Sequence, residues 1–311
     1  MPRNPLDTIA AIPRAITALP RIATTLPRIV PDLSTRPQGR IIEMADGVTT
    51  RLYDTAEPDL PTVVLLHGMG ATGILNWYQT FQRLSGEFRL ITYDQRWHGQ
   101  GYRGGEFSFA DLRDDLFRLT DHLHLEKPVV AGYSMGGIVS QLAARRDSSR
   151  FAGLVLAATG TGGERNALER TLNGQLLRVA TQAAPAALAH EVPPHESPTA
   201  DDPDENVYRW ALRELSSVSP RTSRQVLTEV ARFNSTSWLH ELDLPVAVIK
   251  TLHDLAFPQR IQDELADLLP HSAVFPIDGG HAACATHPGD FARRVRTGVN
   301  WVLSNQGPLR K

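Results

Sequence analysis

Residues 127–146 constrain the fold more tightly than any other stretch of the chain. An apolar run, KPVVAGYS, passes through Gly132-Tyr133-Ser134-Met135-Gly136 straight into a run with helical spacing, MGGIVSQLAARR. A strand that becomes a helix around one residue needs small neighbours two before and two after the corner, because the backbone folds back on itself there and lifts the central hydroxyl clear. A helix starting after Ser134 would also aim its N-terminal dipole at that hydroxyl, where an alkoxide or oxyanion would be stabilised. Alone, G-x-S-x-G is a turn that chance supplies often. Set between a strand and a helix, it makes Ser134 a candidate nucleophile.

The flanks repeat the same rhythm. GRIIEMADGVTTRLYD (39–54) reads as a hairpin turned at Asp46-Gly47. Strands are expected at 62–68, 88–94, 127–134, 151–159, 245–254 and 272–278, with helices at 75–86, 108–123, 135–146, 258–269 and 288–304. Alternation of this kind predicts an α/β fold with a mostly parallel, doubly wound sheet. The rhythm breaks over 161–240, which offers an Ala/Leu-rich helical stretch (166–190), an acidic, proline-broken loop (191–205) and two further helical patterns (206–217 and 221–233). This is the pattern of an all-helical cap inserted into a core formed by 39–160 and 241–305. Because it follows the strand ending near Thr159, it would leave from the edge where the C-terminal ends of the strands gather ligands.

Residues 1–38 stand apart as a Pro/Arg-rich arm. The heptads IPRAITA, LPRIATT and LPRIVPD place Ile12, Ile16, Leu19, Leu26 and Val30 at spacings that suit one helix face. Pro13, Pro20 and Pro27 each cost a continuous helix about 3 kcal/mol, so short turns beginning at prolines are expected instead. Six arginines in the first 40 residues face only Asp7 and Asp32. Two readings stay open: an arm lying along the domain, and a segment, residues 1–36, making peripheral membrane or partner contact. Pro and Arg interrupt every apolar core that a secretory signal would need.

Composition narrows the function classes. Apolar residues make up 41% of 311, enough for a sizeable core. The net charge of −2, with no basic cluster interleaved with aromatics, speaks against a nucleic-acid partner. Cys284, the single cysteine, excludes an intramolecular disulfide and a cysteine-built metal site. Nothing demands an oxidising compartment, so a cytoplasmic location is expected. No apolar run approaches the ~18 residues of a membrane span.

A serine hydroxyl needs a neighbouring base. Among eleven histidines, His281 sits in DGGHAA, an open loop after the last strand. His287 starts the closing helix, His271 precedes the strand at the wrong end, and His253 adjoins the candidate acid. The acid must hold the imidazole in one tautomer and offset its charge. Asp254 follows strand 245–254 on the same rim as Ser134, whereas Asp243 precedes it, and Asp278 is three residues from His281. For a developing oxyanion, one N–H would come from Met135 and another from the loop His67-Gly68-Met69-Gly70, through Met69. His67 reads as a brace for that loop, and the methionine side chains could line an acyl pocket.

HGMG (67–70), DQRWHGQG (94–101), GYSMGG (132–137), Asp254 and the GGH of 279–281 together resemble the successive signatures of the α/β-hydrolase superfamily, over roughly residues 40 to 305. The resemblance is to its serine-type, cap-bearing branch of esterases, lipase-like enzymes, carbon–carbon bond hydrolases and cofactor-free haloperoxidase-like proteins. It implies a sheet of the eight-stranded type and the triad Ser134, Asp254 and His281. Asp94, Arg96 and His98 would serve as scaffold near the pocket, which Tyr133, His67, Gly68 and Gly70 would also border. It further implies attack on a small-molecule ester through an acyl-enzyme, with no metal or organic cofactor. The alternatives are carbon–carbon bond cleavage or haloperoxidase-like chemistry on the same triad, and a non-catalytic ligand-binding member of the fold.

Overall fold

The computed structural model describes residues 37–162 and 207–306. The arm and its heptads, the helical stretch 166–190 and the loop 191–205 lie outside those residues. Eight strands form one sheet: β1 (Arg40–Glu43), β2 (Thr49–Asp54), β3 (Thr62–Leu66), β4 (Arg89–Tyr93), β5 (Val129–Tyr133), β6 (Gly153–Ala157), β7 (Val246–Thr251) and β8 (Ser272–Ile277). Their spatial order is β1-β2-β4-β3-β5-β6-β7-β8. Only the β1–β2 and β2–β4 pairings are antiparallel. The other five, from β4–β3 across to β7–β8, are parallel. This is the α/β fold with a mostly parallel, eight-stranded sheet that the alternation and the resemblance predict.

The helices of the described residues are α1 (Gly73–Leu84), α2 (Phe109–His122), α3 (Met135–Arg146), α4 (Val207–Ser216), α5 (Pro220–Arg232), α6 (Gln259–Leu268), α7 (Ala283–Thr286) and α8 (Pro288–Ser304). Pleating sends alternate side chains of each strand to opposite faces. Val63 and Leu65 of β3 join Trp77, Phe81 and Leu84 of α1 and Phe291, Val295, Val299 and Val302 of α8 in one apolar cluster. Val64 and Leu66 join Leu112, Leu116 and Leu119 of α2, Ile138 and Val139 of α3 and Leu265 of α6 in the other. Both faces are therefore covered. β5 and β6, every residue of which is buried, form the middle of the core, and the elbow at Ser134 grows from that rigid centre.

Local chemistry sets the boundaries. The β1–β2 turn places both Asp46 (φ 62) and Gly47 (φ 70) in the left-handed region, which tight hairpin turns require. Thr72 caps α1 by accepting the Leu75 N–H at 3.3 Å, so that helix starts two residues earlier than its apolar spacing suggests. Ser108 caps α2 through the Asp111 N–H. Pro276 falls on β8, an edge strand, where a missing donor costs least. α7 was not foreseen, being a single turn with no periodicity to read. The described part of the segment joining β6 to β7 holds α4 and α5, followed by irregular chain and a short 3₁₀ turn at Leu239–Glu241 before β7. No helix among the described residues is long and apolar enough to cross a membrane.

Candidate active site

Ser134 follows the last residue of β5 and caps α3 with φ 52 and ψ −114. A non-glycine residue held there costs of order 1–3 kcal/mol, so its surroundings must impose it. They do so from several directions. Its N–H donates to the Ala157 carbonyl of β6 at 2.9 Å. A Cβ on Gly132 would collide with the Gly136 carbonyl and the Ser140 hydroxyl, and one on Gly136 with the Leu66 carbonyl of β3. Strand, corner and helix approach one another more closely than any side chain allows, which is why both flanking positions of G-x-S-x-G are glycine.

The loop after β8 delivers His281 to this corner. Its Nε2 lies 3.0 Å from the Ser134 Oγ and its Nδ1 2.8 Å from Asp254 Oδ2. A carboxylate only accepts, so Nδ1 carries the proton and Nε2 is left to accept from the serine hydroxyl. The Phe257 ring stacks on the imidazole at 5.7 Å between centroids and 20° between planes. The Tyr133 hydroxyl donates to the His281 carbonyl. Asp254 sits three residues past β7, its side chain sealed from solvent. Oδ1 accepts the Ala256 and Phe257 N–H groups, each at 2.8 Å, and Oδ2 accepts the Thr251 hydroxyl at 2.8 Å besides the imidazole. Gln262 of α6 fixes Thr251 in turn, through the Thr251 N–H and carbonyl.

Across the serine lies the loop His67–Ala71. A Cβ on Gly68 would stand 3.3 Å from the Ser134 Cβ, which places this backbone against the serine. Gly70, at φ 76, makes a left-handed step in this loop. Met135 is the first residue of α3, so its N–H has no intrahelical acceptor. His67 is wholly buried. Its Nε2 accepts the Gln95 N–H at 2.9 Å, so its Nδ1 donates to the Gly68 carbonyl at 2.8 Å. Burial, with His98 adjacent, holds its pKa well below the histidine range. Both nitrogens are thus committed to bracing the loop, and the ring carries no proton to the site.

Of the remaining candidates, Asp94, Arg96 and His98 are buried, whereas His253, Asp278, His271 and Asp243 lie on the surface. Asp94 accepts the Gly73 N–H at 3.0 Å and the Gln100 N–H at 2.9 Å. Burial pushes its pKa up to about 7, with the nearby Glu214 carboxylate adding to the rise. Arg96 makes a two-pronged ion pair with Asp115, at 2.9 and 2.8 Å. His98 turns its Nδ1 to the Arg96 carbonyl, and burial lowers its pKa to about 4. His253 and Asp278 pair with each other at 2.7 Å on the surface. His271 lies 3.8 Å from Asp243, and His287 caps α8.

Several residues around the site escaped the sequence reading. Thr251, Phe257 and Gln262 surround Asp254; Asn76 accepts the Gly68 N–H; Glu214 of α4 accepts the Thr72 hydroxyl at 2.6 Å. None belongs to a motif, and each is defined by a contact across the fold. Among the described residues no group of three or more His, Cys, Asp or Glu could hold a metal ion.

A family model described as the alpha/beta hydrolase fold matches residues 61–288. The RutD protein of Agrobacterium fabrum, named as a carbamate hydrolase, is 26% identical over 254 residues, covering 78% of this chain and 95% of the relative. The pimeloyl-[acyl-carrier protein] methyl ester esterase of Aliivibrio salmonicida is 24% identical over 253 residues, covering 78% and 94%. Among solved structures, a thermophilic esterase from Thermogutta terrifontis superposes with a TM-score of 0.65 at 26% identity, covering 85% of this chain and 99% of that one.

Proposed function

The chain belongs to the alpha/beta hydrolase fold family, and we propose that, as a hydrolase of that family, it cleaves a carboxylic ester through an acyl-enzyme on Ser134. One observation carries this reading: the 3.0 Å approach of His281 Nε2 to the Ser134 hydroxyl, with Asp254 behind the imidazole. In the first half-reaction, His281 takes the hydroxyl proton as Oγ attacks the ester carbonyl. The resulting imidazolium lies against the Asp254 carboxylate. The carbonyl oxygen becomes an oxyanion facing the Met69 and Met135 N–H groups, and the imidazolium returns its proton to the departing alcohol. In the second half, water loses a proton to the same imidazole, attacks the acyl carbon and releases the acid with Ser134 regenerated.

Residues 161–240 form the cap in this proposal. The Ala/Leu-rich stretch within them suits a substrate with an apolar acyl or alcohol part. Hydrolysis of p-nitrophenyl esters of rising chain length, beside fluorophosphonate labelling of wild type and Ser134→Ala, tests it. Labelling confined to wild type, with activity rising beyond acetate, is expected. No labelling of wild type would overturn catalysis by Ser134, and a preference for acetate would overturn the apolar acyl or alcohol part.

The relative named for carbamate hydrolysis favours one alternative, attack by the same triad on a carbamate carbonyl. Carbamates turned over while p-nitrophenyl esters are not would decide for it. Residues 1–36, with their net positive charge and repeated apolar positions, suit contact with an anionic membrane surface. Flotation with anionic liposomes that is lost when these residues are removed is the result expected.

A further inference from the structure

Asn76 stands in the first turn of α1, directly behind the oxyanion loop. It is buried, and its carboxamide joins two segments, the loop after β3 and the turn after His281. The Oδ1 accepts the Gly68 N–H at 2.8 Å, and the Nδ2 donates to the Cys284 sulfur at 3.4 Å. The orientation of the amide is fixed by chemistry, since a backbone N–H demands an acceptor and only Oδ1 can be one. Gly68 is the residue whose Cβ position lies 3.3 Å from the Ser134 Cβ, and the next N–H along the chain is that of Met69. Cys284 belongs to α7, three residues after His281, whose own carbonyl accepts the Tyr133 hydroxyl.

We infer that Asn76 is a positioning residue for the oxyanion hole: through the Gly68 N–H it holds the His67–Gly68 peptide in register with the His281 loop, and, with His67 holding the carbonyl of the next peptide, so sets where the Met69 N–H points. This inference rests on the proposed acyl-transfer reading. Gly68 has no side chain to fix its own N–H: His67 holds its carbonyl, and Asn76 of α1 holds its N–H. The N-cap of α1, Thr72, is also the residue that ends the loop, so one helix anchors the loop at its end through Thr72 and near its start through Asn76. A donor aimed at the developing oxyanion acts only in the transition state. Losing the aim therefore lowers kcat and leaves KM nearly alone.

Complete loss of one such donor typically costs about 10²–10³ in rate. Asn76→Leu, near-isosteric but with no acceptor, is expected to lose about 10- to 100-fold in kcat and in the rate of fluorophosphonate labelling. Inhibition by a phenylboronic acid, whose tetrahedral adduct places an oxygen in the hole, should weaken in parallel. KM should stay within threefold. Asn76→Ala should behave alike, and Cys284→Ala, which leaves the Gly68 bond in place, should lose less.

Unlabelled wild-type Ser134 would overturn the underlying function, whatever the variants do. With wild type labelled, the inference fails in four ways: a folded Asn76→Leu matches the wild-type kcat and labelling rate; the loss falls on KM; Cys284→Ala loses as much; or both Asn76 variants fail to fold, which would make the amide a structural support alone.

Discussion

Asp254 and Asp94 both lie just beyond the C-terminal end of a parallel strand, both are buried, and both receive two backbone N–H groups, yet they are set up for opposite purposes. Asp254 is offered four donors, two on each oxygen, and one of them is the imidazole that faces Ser134. Asp94 receives the Gly73 and Gln100 N–H groups and then meets a second carboxylate, Glu214, which reaches down from α4 to the Thr72 hydroxyl. Burial, reinforced by that neighbour, pushes the Asp94 pKa up to about 7, and the partly buried Arg51 offsets only part of the rise. Equal burial therefore does not give equal chemistry. Around Asp254 the donors fix a carboxylate against the His281 imidazole. On the far side a carboxylate is used to tie two loops to α1, and its ionisation opposes the fold.

The largest effect should come from Asp254→Asn. Burial and the backbone donors would survive, but an amide can present its own N–H to His281 and so favour the wrong tautomer. A loss of about 10⁴ in kcat is expected, with little change in Tm. Steady-state kinetics beside thermal unfolding would check it. If Asp254→Asn lowers Tm sharply but keeps its kcat, the two carboxylates have been assigned the wrong way round.

The second prediction concerns the other side. A folded-state pKa near 7 means that folded Asp94 holds a proton which the unfolded chain gives up at about pH 4. Between those values the folded state binds more protons, so this group makes stability fall as pH rises, until the penalty is complete above pH 7. Glu214→Gln keeps an acceptor for Thr72 while removing the adjacent charge. Its Tm should exceed that of wild type at pH 8 by about 2–4 °C for each kcal/mol relieved, and the gap should close toward pH 5, with kcat unchanged throughout. A gap of the same size at both pH values would show that Glu214 acts on stability without acting on Asp94.

The same contrast marks what was legible in the sequence. The sheet was readable because β3, β5 and β6 are continuous apolar runs, and α2 and α3 were readable from their spacing and caps. Ser134 carries its own signature, since the collisions at Gly132 and Gly136 leave no other residue possible there. Asp254 and His281 were reachable by elimination, because a parallel strand puts its C-terminal loop on a known rim. The donors that surround Asp254, the Thr72–Glu214 bond and the Asn76 amide were not. They depend on which side chains the crossovers bring together, and Thr251 and Gln262 meet only once β7 and α6 are packed. The one-turn helix α7 is too short to leave a periodic trace.

The smallest effect should be at Asp278, and it is informative for that reason. Three residues from His281, it is the closest carboxylate in sequence to the proposed base, and spacing alone could favour it over Asp254. The fold turns it outward: its carboxylate meets His253 Nε2 at 2.7 Å, with the two side chains 85% and 70% exposed. An exposed pair of this kind contributes about 0–1 kcal/mol, because water screens it and both side chains lose freedom in forming it. Asp278→Asn should therefore keep kcat within about twofold of wild type and move stability by less than about 1 kcal/mol. The pair's small effect should also fade with added salt. Paired with Asp254→Asn in one assay, the substitution asks whether sequence proximity or convergence across the sheet chooses the acid. A kcat loss at position 278 approaching that at 254 would mean that the His281 loop takes a different orientation during turnover, with its imidazole directed to the surface carboxylate.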